Sequence, residues 1–275
     1  MSRKKPSVPV LPDNVYLIDS HCHLDMDDYS QDLDQVIDRA VRHGVRGIVS
    51  IGIDLPSSTT AVMIARRYKS IRATVGFHPH DAEKASPEAL AELASLASSN
   101  AEEVVGWGEI GLDYVKKYAP PATQREVFRR QLRIAKELKL PVIIHDREAH
   151  QDCLRIIGEE GPFEDGGVMH CFSANLDFAR RVIDHNFHIS IPGIVTYKKA
   201  EEMQEVAAQI PIERLLVETD GPFLSPVPYR GKRNEPLYTL YTAAHIAGLR
   251  HTDLAEFAGQ TSANCRSLFN YQFNC

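Results

Sequence analysis

Apolar residues in this chain form short runs, and six of these runs are followed by a histidine or an acidic residue. Short runs of β-favouring residues predict strands that are buried on both faces. Polar residues repeated at the same, C-terminal end of such strands indicate that the strand ends meet at one place. The runs are 17–19 before His21 and His23, 75–77 before His78, 104–106 before Glu109, 142–144 before His145, 167–169 before His170, and 215–217 before Glu218 and Asp220.

Segments with helical spacing separate the predicted strands. Ser86 and Pro87 are a typical helix start, with serine as the N-cap and proline in the first turn. The run at 75–77 continues a strand at 71–75, and further strands at 47–51 and 188–190 complete a set of eight that alternates with helices, without a linker or an internal repeat. This pattern predicts one domain over residues 1–275, a (β/α)8 barrel with residues 1–12 as a flexible tail. The helices are expected near 32–43, 56–68, 87–98, 123–138, 147–158, 175–185, 199–208 and 236–269.

Composition is that of a soluble globular protein, with 43% hydrophobic and 25% charged residues. No apolar stretch approaches a membrane span, and the basic N-terminus lacks the apolar region of a signal peptide. Five cysteines without a CxxC pair favour a reducing, intracellular setting, cytoplasmic or nuclear and not secreted. The net charge of −6 leaves nucleic-acid binding open, because local cations or bound metal can attract a polyanion. We expect a monomer without an organic cofactor.

The pair His21 and His23 is the sharpest local signal for a metal. Residues i and i+2 share one face of a strand, so the two imidazoles point together into the barrel mouth and Cys22 points away. Taken alone, the pair is also compatible with a polar strand end that carries incidental histidines.

Four more residues at predicted strand ends extend this set to six: Glu109, His145, His170 and Asp220 join His21 and His23. Six ligands exceed the needs of one four-coordinate ion and suit two divalent ions. Glu109 is the natural bridge, because its strand lies between the two groups of histidines. Glu218 is expected on the face opposite Asp220, as a supporting residue. Imidazole and carboxylate ligands leave zinc, manganese and magnesium open, and His145 or His170 alone would also fit a satisfied core histidine.

Residues 106–111 match the GxGxxG pattern of nucleotide-binding turns. That motif requires a helix that begins at its end, where the pyrophosphate meets the helix N-terminus. Here residues 112–121 read as a loop, and Glu109 would place a negative charge in the phosphate cradle. We therefore interpret the glycines as permitting close backbone packing around Glu109.

Residues beyond the ligand set are candidates for substrate handling. His78 is interpreted as a phosphate-binding or proton-transferring group, and a structural hydrogen bond is its alternative role. Barrels often bind phosphate through the loops that follow strands 7 and 8. The candidate cations and donors near the mouth are Arg147, Arg230, Lys232, Arg233 and Asn234.

Eight motifs in this order along the chain carry a resemblance to a known family. They are DSHCHL at 19–24, GFHP at 76–79, GEIGLDY at 108–114, IHDREA at 144–149, HCFS at 170–173, ETDGP at 218–222, RGKRNEP at 230–236 and NCRSLF at 264–269. With them the chain resembles the TatD family of metal-dependent deoxyribonucleases over nearly its whole length, and within that family it is most similar to the TatD domain-containing protein 3 subgroup. The resemblance implies a barrel of the metal-dependent hydrolase superfamily and a two-metal site on the same six residues.

The resemblance further implies 3′→5′ exonuclease activity on DNA ends and cleavage at abasic sites. In the expected mechanism two metals activate a water, Glu109 bridges them, Asp220 is the general base and His78 assists. Two alternatives stay open from the residues alone. One is a two-metal hydrolase of another ester or amide, such as an aminoacyl-tRNA ester, and the other is a non-enzymatic metal-dependent binding module.

Overall fold

Eight parallel strands form one sheet whose order follows the chain, and this sheet curls into a nearly closed barrel. The computed structural model describes residues 7–116 and 118–271. The prediction of a (β/α)8 barrel is confirmed. The strands are β1 Leu17–Cys22, β2 Val45–Ile51, β3 Ile71–Val75, β4 Val104–Asp113, β5 Val142–Arg147, β6 Gly167–Met169, β7 Phe187–Ile191 and β8 Leu215–Val217.

Helices alternate with the strands around the outside of the barrel. Helix α3 begins as predicted, because the Ser86 side chain accepts a hydrogen bond from the Ala89 amide and Pro87 fills the first turn. Short 3₁₀ turns lie at 27–29, 79–84, 193–196, 212–214 and 236–238. The α-helices are α1 Leu33–Arg42, α2 Leu55–Arg67, α3 Pro87–Ser99, α4 Pro121–Leu138, α5 His150–Glu160, α6 Leu176–Asp184, α7 Glu201–Gln209, α8 Thr239–Leu249 and α9 Leu254–Leu268.

The C-terminal region contains two helices where the sequence pattern predicted one. Helix α8 ends at Leu249, and His251 has a positive φ of 54°, a conformation that no helix continues through. Asp253 then accepts hydrogen bonds from the amides of Ala255 and Glu256, which starts α9. The apolar spacing runs through both helices, so it did not reveal the break.

Successive strand residues alternate between two apolar layers. The larger layer lies between the strands and the surrounding helices and includes Leu17, Ile48 and Ile144. The smaller one fills the barrel interior and is covered by Phe269 after α9. Its strand residues are Ile18, Val49, Ile51, Val105, Ile143, Val168 and Leu216. Phe269 therefore covers the interior at the end where the strands begin, and the candidate ligands lie at the other end.

A buried carboxyl group contributes to the seam between β8 and β1. In the described part of the chain, an isolated bridge pairs Cys22 with Gly221, beyond the end of β8, and the Asp220 amide donates to the His21 carbonyl at 2.9 Å. The carboxyl group of Asp19 accepts hydrogen bonds from the Thr219 amide at 2.8 Å and from the Thr219 hydroxyl at 2.5 Å. Burial raises the pKa of Asp19 to about 7. Asp19 thus joins the first strand to the turn that follows the last one.

The chain that precedes β1 crosses the N-terminal side of the barrel. Leu11 is buried and packs against Gly44 at the end of α1, while residues 7–12 contain no helix or strand. The first six residues of the predicted tail lie outside the described part of the chain. Among the helices that the structure describes, none has the length and apolarity to cross a bilayer.

We expect the stability of wild-type protein relative to an Asp19→Asn variant to depend on pH. The unfolded carboxyl loses its proton near its ordinary pKa of 3.8, whereas the folded one keeps it to about pH 7. In this window the folded state binds more protons than the unfolded state, so the wild-type free energy of unfolding falls as pH rises. The amide variant lacks this contribution, and urea unfolding at several pH values between 4 and 8 measures the difference.

An Asp38→Asn variant is the matched control, because the Asp38 carboxylate is largely exposed on α1. Its stability relative to wild type should show no such pH window. A constant difference between wild type and Asp19→Asn over this range would contradict the raised pKa of Asp19.

Candidate metal centre

Six side chains predicted as metal ligands converge at the C-terminal ends of the strands. Inside the barrel, His145 and His170 stand two residues beyond the apolar Ile143 and Val168, so they form the next layer of side chains. All six are buried or nearly so. They are His21, His23, Glu109, His145, His170 and Asp220.

Glu109 enters this layer through a bulge in β4. The pairing register of β4 with β5 shifts between Trp107 and Ile110, which places one extra residue in β4. At Gly108, a Cβ atom would lie 2.5 Å from the carbonyl oxygen of Ile143. Gly111 has a positive φ of 139°, and a Cβ there would lie 2.0 Å from the His145 carbonyl oxygen. The glycines therefore allow the close packing that the sequence suggested, and β4 continues as a strand through residues 106–111.

The Glu109 carboxylate faces both groups of histidines. Its Oε1 lies 2.7 Å from His145 Nδ1 and 2.8 Å from His170 Nε2. Its Oε2 lies 3.5 Å from His21 Nε2 and 3.7 Å from His23 Nε2. One carboxylate with its two oxygens turned toward two sets of ring nitrogens has the arrangement of a bridging ligand.

The ring nitrogens of His21 and His23 converge in a way that suits a cation. Their Nε2 atoms are 3.3 Å apart, and Asp220 Oδ1 lies 3.4 Å from His23 Nε2 and 3.8 Å from His21 Nε2. Nitrogen lone pairs and a carboxylate oxygen in one small volume fit a zinc, manganese or magnesium ion. Cys22 faces Tyr29 and the Gly221 carbonyl instead, so its thiol points away as expected.

Charge–charge contacts set the protonation of this layer. Burial alone would raise the pKa of Glu109, but the neighbouring imidazoles, His170 foremost, hold it well below its usual value. Burial opposes ionisation of Asp220 as well, and the contact with His23 outweighs it to lower that pKa. Both carboxylates are therefore ionised at neutral pH, the form in which they bind cations.

Glu218 lies inside the barrel, which corrects the expectation that it faces away from the site. Its Oε1 lies 3.4 Å from His170 Nδ1 and accepts the Cys171 amide at 2.7 Å. Leu216 of β8 faces the interior and residues two apart share a strand face, so Glu218 also lies inside, and the expected opposite face misapplied this alternation. Glu218 contacts the far side of the His170 ring and stabilises its orientation.

His78 borders the ligand set, and its hydrogen bonds define its protonation. Nδ1 accepts the backbone N–H of His80 at 3.1 Å, and Nε2 lies 3.4 Å from Glu109 Oε1. A neutral imidazole has one lone pair and one N–H. Because Nδ1 uses the lone pair, Nε2 carries the proton and points it toward Glu109. Burial lowers the pKa of His78 to about 4, so near pH 7 the ring is neutral and its Nε2–H can donate a hydrogen bond.

Asp113 and His80 also belong to the site, although sequence reasoning assigned them no definite role. Asp113 Oδ2 lies 2.8 Å from His80 Nε2 and 3.5 Å from His145 Nε2. Its contact holds the His145 ring with Nδ1 toward Glu109. The sequence could have indicated Asp113 through the alternation of strand faces, because Asp113 ends β4 four residues after Glu109.

The predicted substrate-binding residues separate into two kinds. Asn234 is fully buried, and its amide group donates to the carbonyls of Thr219 and Phe223 and accepts the Glu235 amide. Arg233 forms a paired hydrogen bond with Asp32. These polar groups hold the loop to the barrel, and substrate binding by Arg233 and Asn234 stays a prediction. The RGKRN pattern alone does not distinguish buried from exposed positions.

The remaining cations face solvent. Three cations are exposed, namely Arg147 at the end of β5, Arg230 and Lys232. The Arg230 guanidinium lies over the Tyr197 ring, 4.4 Å from its centroid. In the described part of the chain, none of the three forms an ion pair. These side chains are free to meet an anionic ligand at the rim.

The fold and the converging ligands define a metal-dependent hydrolase barrel, and comparison with known proteins agrees. Residues 18–270 match the family model described as TatD related DNase. The chain belongs to the TatD family of metal-dependent hydrolases.

Individual relatives cover almost the whole chain. The uncharacterized metal-dependent hydrolase YabD of Bacillus subtilis is 45% identical, over 92% of this chain and 98% of the relative. The 3′-5′ ssDNA/RNA exonuclease TatD of Salmonella typhimurium is 35% identical, over 94% of this chain and all of the relative. The crystal structure of YJJV, a TatD homolog from Escherichia coli, superposes with a TM-score of 0.89 at 30% identity, covering 93% of this chain and 98% of that one.

We expect an Asp113→Ala variant to bind divalent metal about 10–100-fold more weakly, the usual effect of removing a carboxylate that orients a histidine ligand. Calorimetric titration with zinc or manganese measures the affinity. Asp152→Ala is the control, since Asp152 pairs with Arg155 on the outer helix α5. Equal metal affinity in wild type and Asp113→Ala would show that the carboxylate does not position His145.

Proposed function

We propose that this protein hydrolyses DNA phosphodiester bonds with two divalent metal ions, acting from 3′ ends and at abasic sites. The observation that carries the proposal is the Glu109 carboxylate, whose two oxygens face two separate groups of histidines. The name of the Salmonella relative supports a nucleic-acid substrate, and the exposed cations at the rim support an anionic one.

Each ion has a candidate set of ligands. His21, His23, Glu109 and Asp220 would hold one ion, and Glu109, His145 and His170 the other. Divalent ions bound there supply Lewis-acid chemistry, lowering the pKa of water and neutralising phosphoryl oxygens.

The chain's own groups position the substrate and handle its protons. Asp220, ionised and partly open to the mouth, is the candidate general base. The Nε2–H of His78 is a neutral donor for a phosphate oxygen. Arg147, Arg230 and Lys232 surround the mouth and would fix the register of the phosphate backbone.

Glu109→Ala and Glu109→Gln are both expected to abolish nuclease activity, because each removes the negative charge between the histidine groups. Cleavage of end-labelled single-stranded, duplex and abasic-site oligonucleotides across magnesium, manganese and zinc measures this. Metal content by mass spectrometry shows whether the variants also lose ions. Glu164→Ala is the control, since Glu164 is exposed in the loop before β6. Undiminished cleavage by either Glu109 variant would refute the mechanism.

Arg230→Ala and Lys232→Ala should raise the KM for oligonucleotides and reduce its salt dependence, because each removes one phosphate contact. Arg233→Ala should instead lower the free energy of unfolding, since it breaks the pair with Asp32. Steady-state kinetics at several salt concentrations and urea unfolding separate the two effects. If the Arg230 and Lys232 variants keep the wild-type KM, a small neutral ester or amide becomes the better substrate class.

A further inference from the structure

Two aromatic side chains stand exposed beside the metal centre. Among the phenylalanine, tyrosine and tryptophan residues that the structure describes, only Tyr118 and Phe223 are exposed, at 65% and 49%. The Phe223 ring lies edge-on to the His23 ring with centroids 6.3 Å apart. The Tyr118 ring lies edge-on to His80 at 4.8 Å. Each exposed ring therefore borders a histidine of the site, on different sides of the mouth.

The turn that carries Phe223 is fixed on both sides. The Phe223 amide donates to the Asp220 carbonyl at 2.9 Å, and the Asn234 amide group donates to the Phe223 carbonyl. The Asn234 backbone amide also donates to the Pro222 carbonyl at 2.9 Å. These contacts hold Phe223 three residues beyond Asp220, so the ring is presented to solvent by an ordered backbone.

Tyr118 is held near the site by the same carboxylate that orients His145. Asp113 Oδ1 accepts the amides of Val115 and Lys116, at 2.9 and 2.8 Å, while its Oδ2 contacts His80. The His80 ring in turn lies 4.2 Å from the His78 ring and forms the surface against which Tyr118 packs. The His80 ring therefore lies between Tyr118 and His78, the histidine proposed to bind phosphate.

We infer that Phe223 and Tyr118 stack against bases on either side of the bond that is cut. This inference rests on the proposed function. Stacking on aromatic rings tolerates any sequence, because every base has a π-face, and it requires bases that are not stacked in a duplex. It also assigns a use to two apolar surfaces that would otherwise face water.

The test measures kcat/KM on single strands with normal 3′-terminal bases and on matched strands whose terminal bases are replaced by abasic tetrahydrofuran units. Phe223→Ala and Tyr118→Ala are expected to lower kcat/KM about ten-fold on the normal strand, as loss of one stacking partner does. Neither variant should change kcat/KM on the abasic strand, which has no base to stack. Phe223→Trp should restore cleavage of the normal strand.

Met63→Ala is the control, because Met63 is 62% exposed on the outer helix α2, and it should match wild type on both strands. An equal loss on normal and abasic strands, or no loss on normal strands, would overturn the stacking inference and leave the hydrolase proposal standing. If wild type cleaves no oligonucleotide with magnesium, manganese or zinc, the proposed function fails and the stacking inference with it.

Discussion

The structure depends on a negative charge held inside the barrel, in a layer of histidines next to a layer of aliphatic side chains. A buried carboxylate is costly unless its oxygens are compensated, and Glu109 is compensated by imidazoles on both sides. The bulge in β4 and the glycines around it allow the backbone of neighbouring strands to pack closely beside Glu109. The histidines in turn depend on outer carboxylates, Asp113 and Glu218, which fix their rings.

A layered interior explains how one barrel combines stability with chemistry. The aliphatic residues of the interior pack against Phe269 near the start of the strands. The next layer, toward the ends of the strands, consists of the histidines and Glu109. Strands β5 and β6 supply both layers two residues apart, with His145 after Ile143 and His170 after Val168, so the apolar layer directly supports the polar one.

The sequence was sufficient for the fold and for the convergence of the six candidate ligands, because each is tied to a strand end by local pattern. It was insufficient where contacts between distant segments decide the outcome. Asn234 and Arg233 were predicted only to bind substrate, and the pattern did not indicate that their contacts with Thr219 and Asp32 hold the loop.

Other errors came from the way periodicity was applied. Residues two apart share a strand face, so Glu218 lies inside the barrel with Leu216, and its expected position on the face opposite Asp220 misapplied that rule. The apolar spacing of the last helical region hid the break at His251, which depends on a left-handed backbone conformation that spacing does not encode.

Phe269 and α9 cover the barrel where the strands begin, so its interior opens only at the other end. Whatever enters the mouth must leave by the same opening, in the reverse direction. A polymer cannot pass through a barrel with one opening. Its end has to move back out, or the cut piece has to leave past it, before another bond can reach the metal centre. Substrate entry and product release are therefore confined to one opening by the same packing that closes the other end of the barrel.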